Sequence, residues 1–186
     1  CFRDEDPRAD RLYGDFYQLD CEMSFVDKGE TVRQTVEPLI KSLVTDFAGK
    51  KLFSEEIPRI SYQESMEKYG VDKPDLRYGM EMIELTEILK DTSFKVFQSP
   101  CVKAICVENG ASLTRSQIDQ FTEKARKLGA SGLAYIMYEN GTEKSPIAKF
   151  LQPEELAKIK EATGAKDGDA VFFCSDDRAK VNKILG

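Results

Sequence analysis

From about residue 102 to residue 185 the chain alternates short apolar runs with amphipathic stretches, and this alternation limits the fold more than any other feature. Residues 102–107, 133–138 and 170–174 are apolar runs of strand length, set off by turn-forming residues. Between the first two, Ile118, Phe121, Ala125 and Leu128 recur at helical spacing behind Thr114 and Gln117, which have the spacing of a capping box, and Gly129 ends the stretch. Asn140-Gly141 is a strong turn signal. Pro153 suits the first position of a helix over about 153–162, and Asp176 is placed to cap a last helix carrying Val181, Ile184 and Leu185. The links are short, so the order β-α-β-α-β-α predicts a compact α/β unit of domain size. Residues 91–100 are the best boundary, which divides the chain into domains 1–97 and 98–186.

Upstream, the patterning is different. Residues 16–26 alternate with period two: Tyr17, Leu19, Cys21, Met23 and Phe25 on one side, Gln18, Asp20, Glu22 and Ser24 on the other. That predicts a strand with one buried face. The polar row is either wet, as usual for an antiparallel sheet, or the floor of a polar pocket. Residues 1–6 are a candidate partner strand. The stretch between carries Arg3, Arg8 and Arg11 among Asp4, Glu5, Asp6 and Asp10, too charged to enter a core. A helix is predicted at about 30–48 from Val32, Val36, Leu39, Ile40, Leu43 and Phe47, with Pro38 kinking it or starting its second part. Ser61, Glu64 and Gly70 frame a short helix at 61–69, residues 71–77 form a charged loop, and 82–90 form a third helix.

Composition excludes several classes. Of 186 residues 41% are hydrophobic, and no run approaches the ~18 residues of a membrane span. The net charge of −6 (27 basic, 33 acidic) argues against nucleic-acid binding over the whole surface and leaves room for a local basic site. Histidine is absent, so no Ser-His-Asp or Cys-His mechanism operates within these residues. The cysteines (Cys1, Cys21, Cys101, Cys106, Cys174) form no CxxC pair and no zinc pattern. Cys101 and Cys106 are either a redox couple or partly buried reduced thiols, the blander reading and the favoured one.

Phe2-Arg3-Asp4-Glu5, Arg8-Ala9-Asp10-Arg11 and Phe16-Tyr17-Gln18-Leu19-Asp20 together resemble motif 2 of the class II aminoacyl-tRNA synthetases, in the long form of the bacterial-type aspartyl enzymes. Tyr69-Gly70 with Asp72-Lys73-Pro74-Asp75-Leu76-Arg77 is similar to a loop of that family. Gly110-Ala111-Ser112-Leu113-Thr114-Arg115, Gly132-Leu133-Ala134-Tyr135 and Ser145-Pro146-Ile147-Ala148-Lys149-Phe150-Leu151 resemble its inserted GAD domain, shared with a subunit of the tRNA-dependent amidotransferase. The resemblance covers nearly the whole chain in one order. It implies an α/β (α+β) protein: a piece of the antiparallel-sheet catalytic core, then a small insertion domain.

The resemblance also implies a reaction. Aspartate and ATP, with Mg2+, form aspartyl-adenylate, and the aspartyl group passes to the 3′ end of tRNA, either tRNA(Asp) alone or tRNA(Asn) as well. Carried over by position, Arg3 is the catalytic arginine that holds the α-phosphate of ATP and the aspartate carboxylate through its fork. Asp4 and Glu5 contact ATP, Glu5 by accepting from the adenine amine. Asp20 receives the α-ammonium of aspartate, and Arg8 and Arg11 meet the acceptor end of tRNA. No metal ligand is assigned. A cytoplasmic homodimer is implied for the full-length enzyme, with no membrane. Two departures stand out: Leu12 occupies the place of a glutamine ATP contact, and Val71 replaces a common serine. Motifs 1 and 3 and the anticodon barrel are absent, so these residues alone are not expected to aminoacylate. The apolar face at 30–48 is expected to promote association. The alternative is that the GAD module acts as a non-catalytic tRNA or protein contact. Its sequence shows no aromatic platform for single-stranded RNA.

Overall fold

The computed structural model describes residues 1–2 and 15–186, which fall into two compact units, 1–59 and 60–186. In the first, helix α1 (Gly29–Ser42) runs on into a π-helical turn (Leu43–Phe47). Pro38 does not start a second helix. The proline lies inside α1, and the departure from α-helical bonding comes later, where the Ala48 N–H donates to the Leu43 carbonyl at 2.9 Å. Arg59 ties the end of the unit to α1 by pairing with Glu30 (2.9 Å) and Glu37 (3.0 Å). No residue of α1 or the π-helical turn is buried.

The second unit begins with α2 (Tyr62–Tyr69). The Ser61 hydroxyl accepts the Glu64 N–H at 3.1 Å, and Gly70 closes the helix at φ 70°, as the sequence predicts. Next come β1 (Ile83–Glu84), β2 (Cys101–Val107), α3 (Arg115–Lys127), β3 (Ala134–Glu139), β4 (Thr142–Lys144), α4 (Pro153–Thr163), β5 (Ala170–Asp176) and α5 (Arg178–Leu185). The capping box of Thr114 and Gln117 forms at the start of α3, and Pro153 opens α4. Asp177, not Asp176, is the N-cap residue of α5; Asp176 instead accepts from the Asp177 N–H and from Lys180.

The expected helix at 82–90 is not formed. Ile83 and Glu84 pair with Ala104 and Lys103, and the Leu85 N–H donates to the Val102 carbonyl at 2.8 Å. The open edge of β2 offers these residues ladder bonds, and that tertiary gain overrides a helical pattern which is only a local preference. The sheet runs β1-β2-β5-β3-β4 with every neighbouring pair antiparallel. β5 slots between β2 and β3, so those two run parallel but never touch. β4 is only three residues long and all exposed, so no apolar pattern marks it in the sequence. It follows Asn140 and Gly141, both at positive φ (52° and 71°), as a tight hairpin requires.

Both faces of the sheet are covered. On one, Val102, Ala104, Ile136, Tyr138, Val171 and Phe173 pack with Leu85, Leu89, Phe97, Leu151 and Ile159 of α4. On the other, Ala170 and Phe172 meet Ile118 of α3, and Cys101 and Cys174 meet Val181 of α5.

Candidate functional site

The residues singled out for chemistry cluster near the start of the chain. Arg3, Asp4, Glu5, Arg8 and Arg11 lie outside the described residues. Their flanks are described. The Cys1 ammonium donates to the Phe16 carbonyl at 2.7 Å, and the Phe16 N–H donates back to the Cys1 carbonyl at 2.8 Å. This reciprocal exchange is the bonded pair of an antiparallel ladder. The Cys1 thiol also donates to Gln18 Oε1 at 3.1 Å, as expected when position 1 shares a face with 16 and 18.

Beyond this pair the expected strand at 16–26 does not form. Tyr17, Leu19 and Phe25 are strongly exposed, and Phe25 takes a φ of 58°, outside the strand region. A period-two segment is stable as a strand only with a partner and an apolar layer to cover its inner side. Among the described residues neither is present for 17–25. Asp20 is exposed and makes no hydrogen bond or ion pair among the described residues. The structure therefore brings together Cys1, Phe16 and Gln18, and does not bring Asp20 to them.

A different cluster, not foreseen from sequence, lies between α2, β1, β2 and α5. Lys103 sits in the apolar run of β2 with its side chain buried. All three of its donors are used, at Glu67 Oε2 (2.6 Å), the Glu67 carbonyl (2.8 Å) and Asn182 Oδ1 (2.8 Å). Arg178 bridges Glu67 (2.8 Å) and Glu84 (2.7 Å). The Lys103 hydrogen bond, helped by Arg178, holds the Glu67 carboxyl below its usual value. Burial pushes Glu84 up, but the Thr86 hydroxyl and Arg178 outweigh it and hold this carboxyl low as well. Every charge here has a partner and none is poised to move a proton. The cluster is a structural tie whose one sequence signal is a lysine inside an apolar strand.

The three thiols of the second unit are equally unreactive. Cys101 and Cys106 lie five residues apart on one strand and so point to opposite faces of the sheet, which excludes the redox couple. Burial raises the pKa of both, and takes Cys174 up to about 11. The Tyr138 hydroxyl is buried without a hydrogen-bond partner, and burial pushes it up to about 12. No group of three or more His, Cys, Asp or Glu able to hold a metal occurs among the described residues, and no described helix is long and apolar enough to cross a membrane.

Comparison with known proteins decides the kinship. Residues 95–185 match the GAD domain. The aspartate–tRNA(Asp/Asn) ligase of Anaplasma marginale is 46% identical over 200 residues, covering 100% of this chain and 34% of the relative. The chain belongs to the bacterial aspartyl-tRNA synthetase family. The same ligase of Aquifex aeolicus is 48% identical over 191 residues, with 100% of this chain and 31% of the relative covered. That of Thermobifida fusca is 46% identical, with 100% and 32% covered. The chain thus spans about a third of the length of the synthetases it matches. The sheet of β2, β5, β3 and β4 is the GAD domain of this synthetase segment, and β1 extends that sheet from outside the matched residues.

Proposed function

We propose that this chain is part of an enzyme that activates L-aspartate with ATP and transfers the aspartyl group to the 3′ end of tRNA, with aspartate and asparagine tRNA as its acceptors. The observation that carries this reading is identity of 46% along the entire chain to ligases of that name. In it Arg3, Asp4 and Glu5 hold ATP, Arg3 and Asp20 hold aspartate, and Arg8 and Arg11 contact the tRNA acceptor end. The Cys1–Phe16 pair supports it, because it joins the two arms that flank these residues and puts Gln18 on the face of position 1. The role of Asp20 rests on its place in the motif, since the pairing stops at Gln18. Mg2+ enters with ATP, as a counter-charge to its phosphates. The working enzyme is a cytoplasmic homodimer, residues 1–97 belong to its catalytic core and 98–186 form the insertion domain, and the 186 residues alone do not aminoacylate.

The test is Asp20→Asn in the full-length gene product. Loss of a charged partner for the aspartate ammonium raises the KM for aspartate about tenfold or more, while the KM for ATP stays. Aspartate-dependent ATP–pyrophosphate exchange reads both. An unchanged aspartate KM removes Asp20 from the site.

A further inference from the structure

At the edge of the GAD domain, where residues 93–97 meet its 148–152 segment, lies a small aromatic recess that includes none of the residues assigned above. Phe94 and Phe150 stack with ring centres 5.3 Å apart and planes 4° from parallel. Phe94 is anchored from beneath: it meets Phe97 edge-on at 5.0 Å, and Phe97 lies in the core beside Phe173. Phe150 ends a single 3-10 turn (Ala148–Phe150) whose start is pinned by the Ser145 hydroxyl, which accepts the Ile147 and Ala148 N–H groups. The two rings are therefore held in place before any ligand arrives, yet Phe150 remains 48% exposed.

The surroundings are cationic. Lys149 Nζ lies 5.0 Å from the Phe150 ring centre, and Ser93, Lys95 and Gln152 complete the lining. Neither Lys95 nor Lys149 has a carboxylate partner among the described residues.

We propose that this recess binds an unpaired nucleotide of single-stranded RNA. The base stacks on Phe150 in place of the Lys149 ammonium that lies over that ring, the displaced Lys149 and Lys95 draw the phosphate, and Ser93 and Gln152 offer polar contacts to the base edge. A base is a flat π surface that stacks on an aromatic ring whatever its identity, and its phosphate supplies the charge the lysines lack. A duplex fits poorly, because its bases are stacked inside and only phosphates are offered. The choice of RNA over DNA rests on the aspartyl-tRNA ligase reading; the stacking geometry does not depend on it.

The test uses the 186-residue chain and a short fluorescent oligoadenylate at low salt, followed by anisotropy. Phe150→Ala weakens binding about tenfold or more, Phe150→Tyr keeps it, and Lys149→Gln weakens it and lowers the slope of log affinity against log salt by about 0.7. A duplex of the same length binds more weakly than the single strand. Circular dichroism shows whether Phe150→Ala has kept its fold; if it has not, the Lys149→Gln slope and the duplex comparison still decide. Equal binding by wild type and a folded Phe150→Ala, or by duplex and single strand, overturns the proposal. Pyrophosphate exchange by the full-length enzyme needs no RNA. A failure there with stacking intact sinks the ligase reading alone, and the converse sinks only the recess.

Discussion

At the scale of single residues the second unit depends on one buried charge. Lys103 is enclosed in the sheet and satisfied by three acceptors, so its removal leaves Asn182 Oδ1 and the Glu67 carbonyl without their donor and opens a void. Lys103→Ala is expected to lower unfolding stability by about 3 kcal/mol, read from urea denaturation. Lys103→Met restores the volume without the charge and recovers part of the loss. The same cluster sets an acid limit. Glu67 and Glu84 are held below their usual values when folded, so their contribution is complete at neutral pH. It fades as the pH falls below the unfolded value of ~4.3 towards the lower folded values. The urea midpoint of wild type should drop across that window, and that of Lys103→Ala should drop less, because Glu67 has lost the largest cause of its shift.

At the scale of elements, α2 and α5 meet so closely that only glycine fits between them. A Cβ at Gly70 would lie 2.1 Å from the Asn182 carbonyl oxygen and 2.9 Å from Gly186 Cα, both backbone atoms that cannot swing away. Gly141 has nearly the same φ (71° against 70°) with nothing within 4 Å. Gly141→Ala therefore reports the backbone strain alone, about 1 kcal/mol, and Gly70→Ala adds the collision, for a total of about 3 kcal/mol or more. Paired thermal melts separate the two, and equal losses would mean that the helices part without cost. These elements also show what a sequence can reveal. The helices starting at Ser61, Thr114 and Pro153 are legible because their start signals act within one turn. The strand at Ile83–Glu84 is not, because what makes it a strand is β2, some twenty residues later. The charged cluster gathers residues 67, 84, 103, 178 and 182, and the stacked rings stand at 94 and 150, so no local pattern announces either. For the motif 2 residues the sequence supplies an order and a resemblance, and Asp20 is the one of them among the described residues.

At the scale of the whole molecule, burial is distributed very unevenly. Every buried hydrophobic among the described residues lies at Met82 or beyond, and the helix of the first unit shows Leu39, Ile40, Leu43 and Phe47 to solvent. Folding free energy comes mainly from apolar area removed from water, so nearly all of it belongs to residues 60–186. A chain cut to 60–186 should therefore unfold in urea as one cooperative transition with the midpoint of the 186-residue chain. Residues 1–59 made alone should show no cooperative transition. The exposed face of α1 adds a second readout. An apolar stripe without a cover associates with its like, so the 186-residue chain should show a mass in sedimentation that rises with concentration, and the 60–186 chain should stay monomeric. If the shorter chain unfolds at clearly lower urea, the first unit contributes to the core after all. If both sediment as monomers, the apolar face of α1 is not what makes copies of this chain associate.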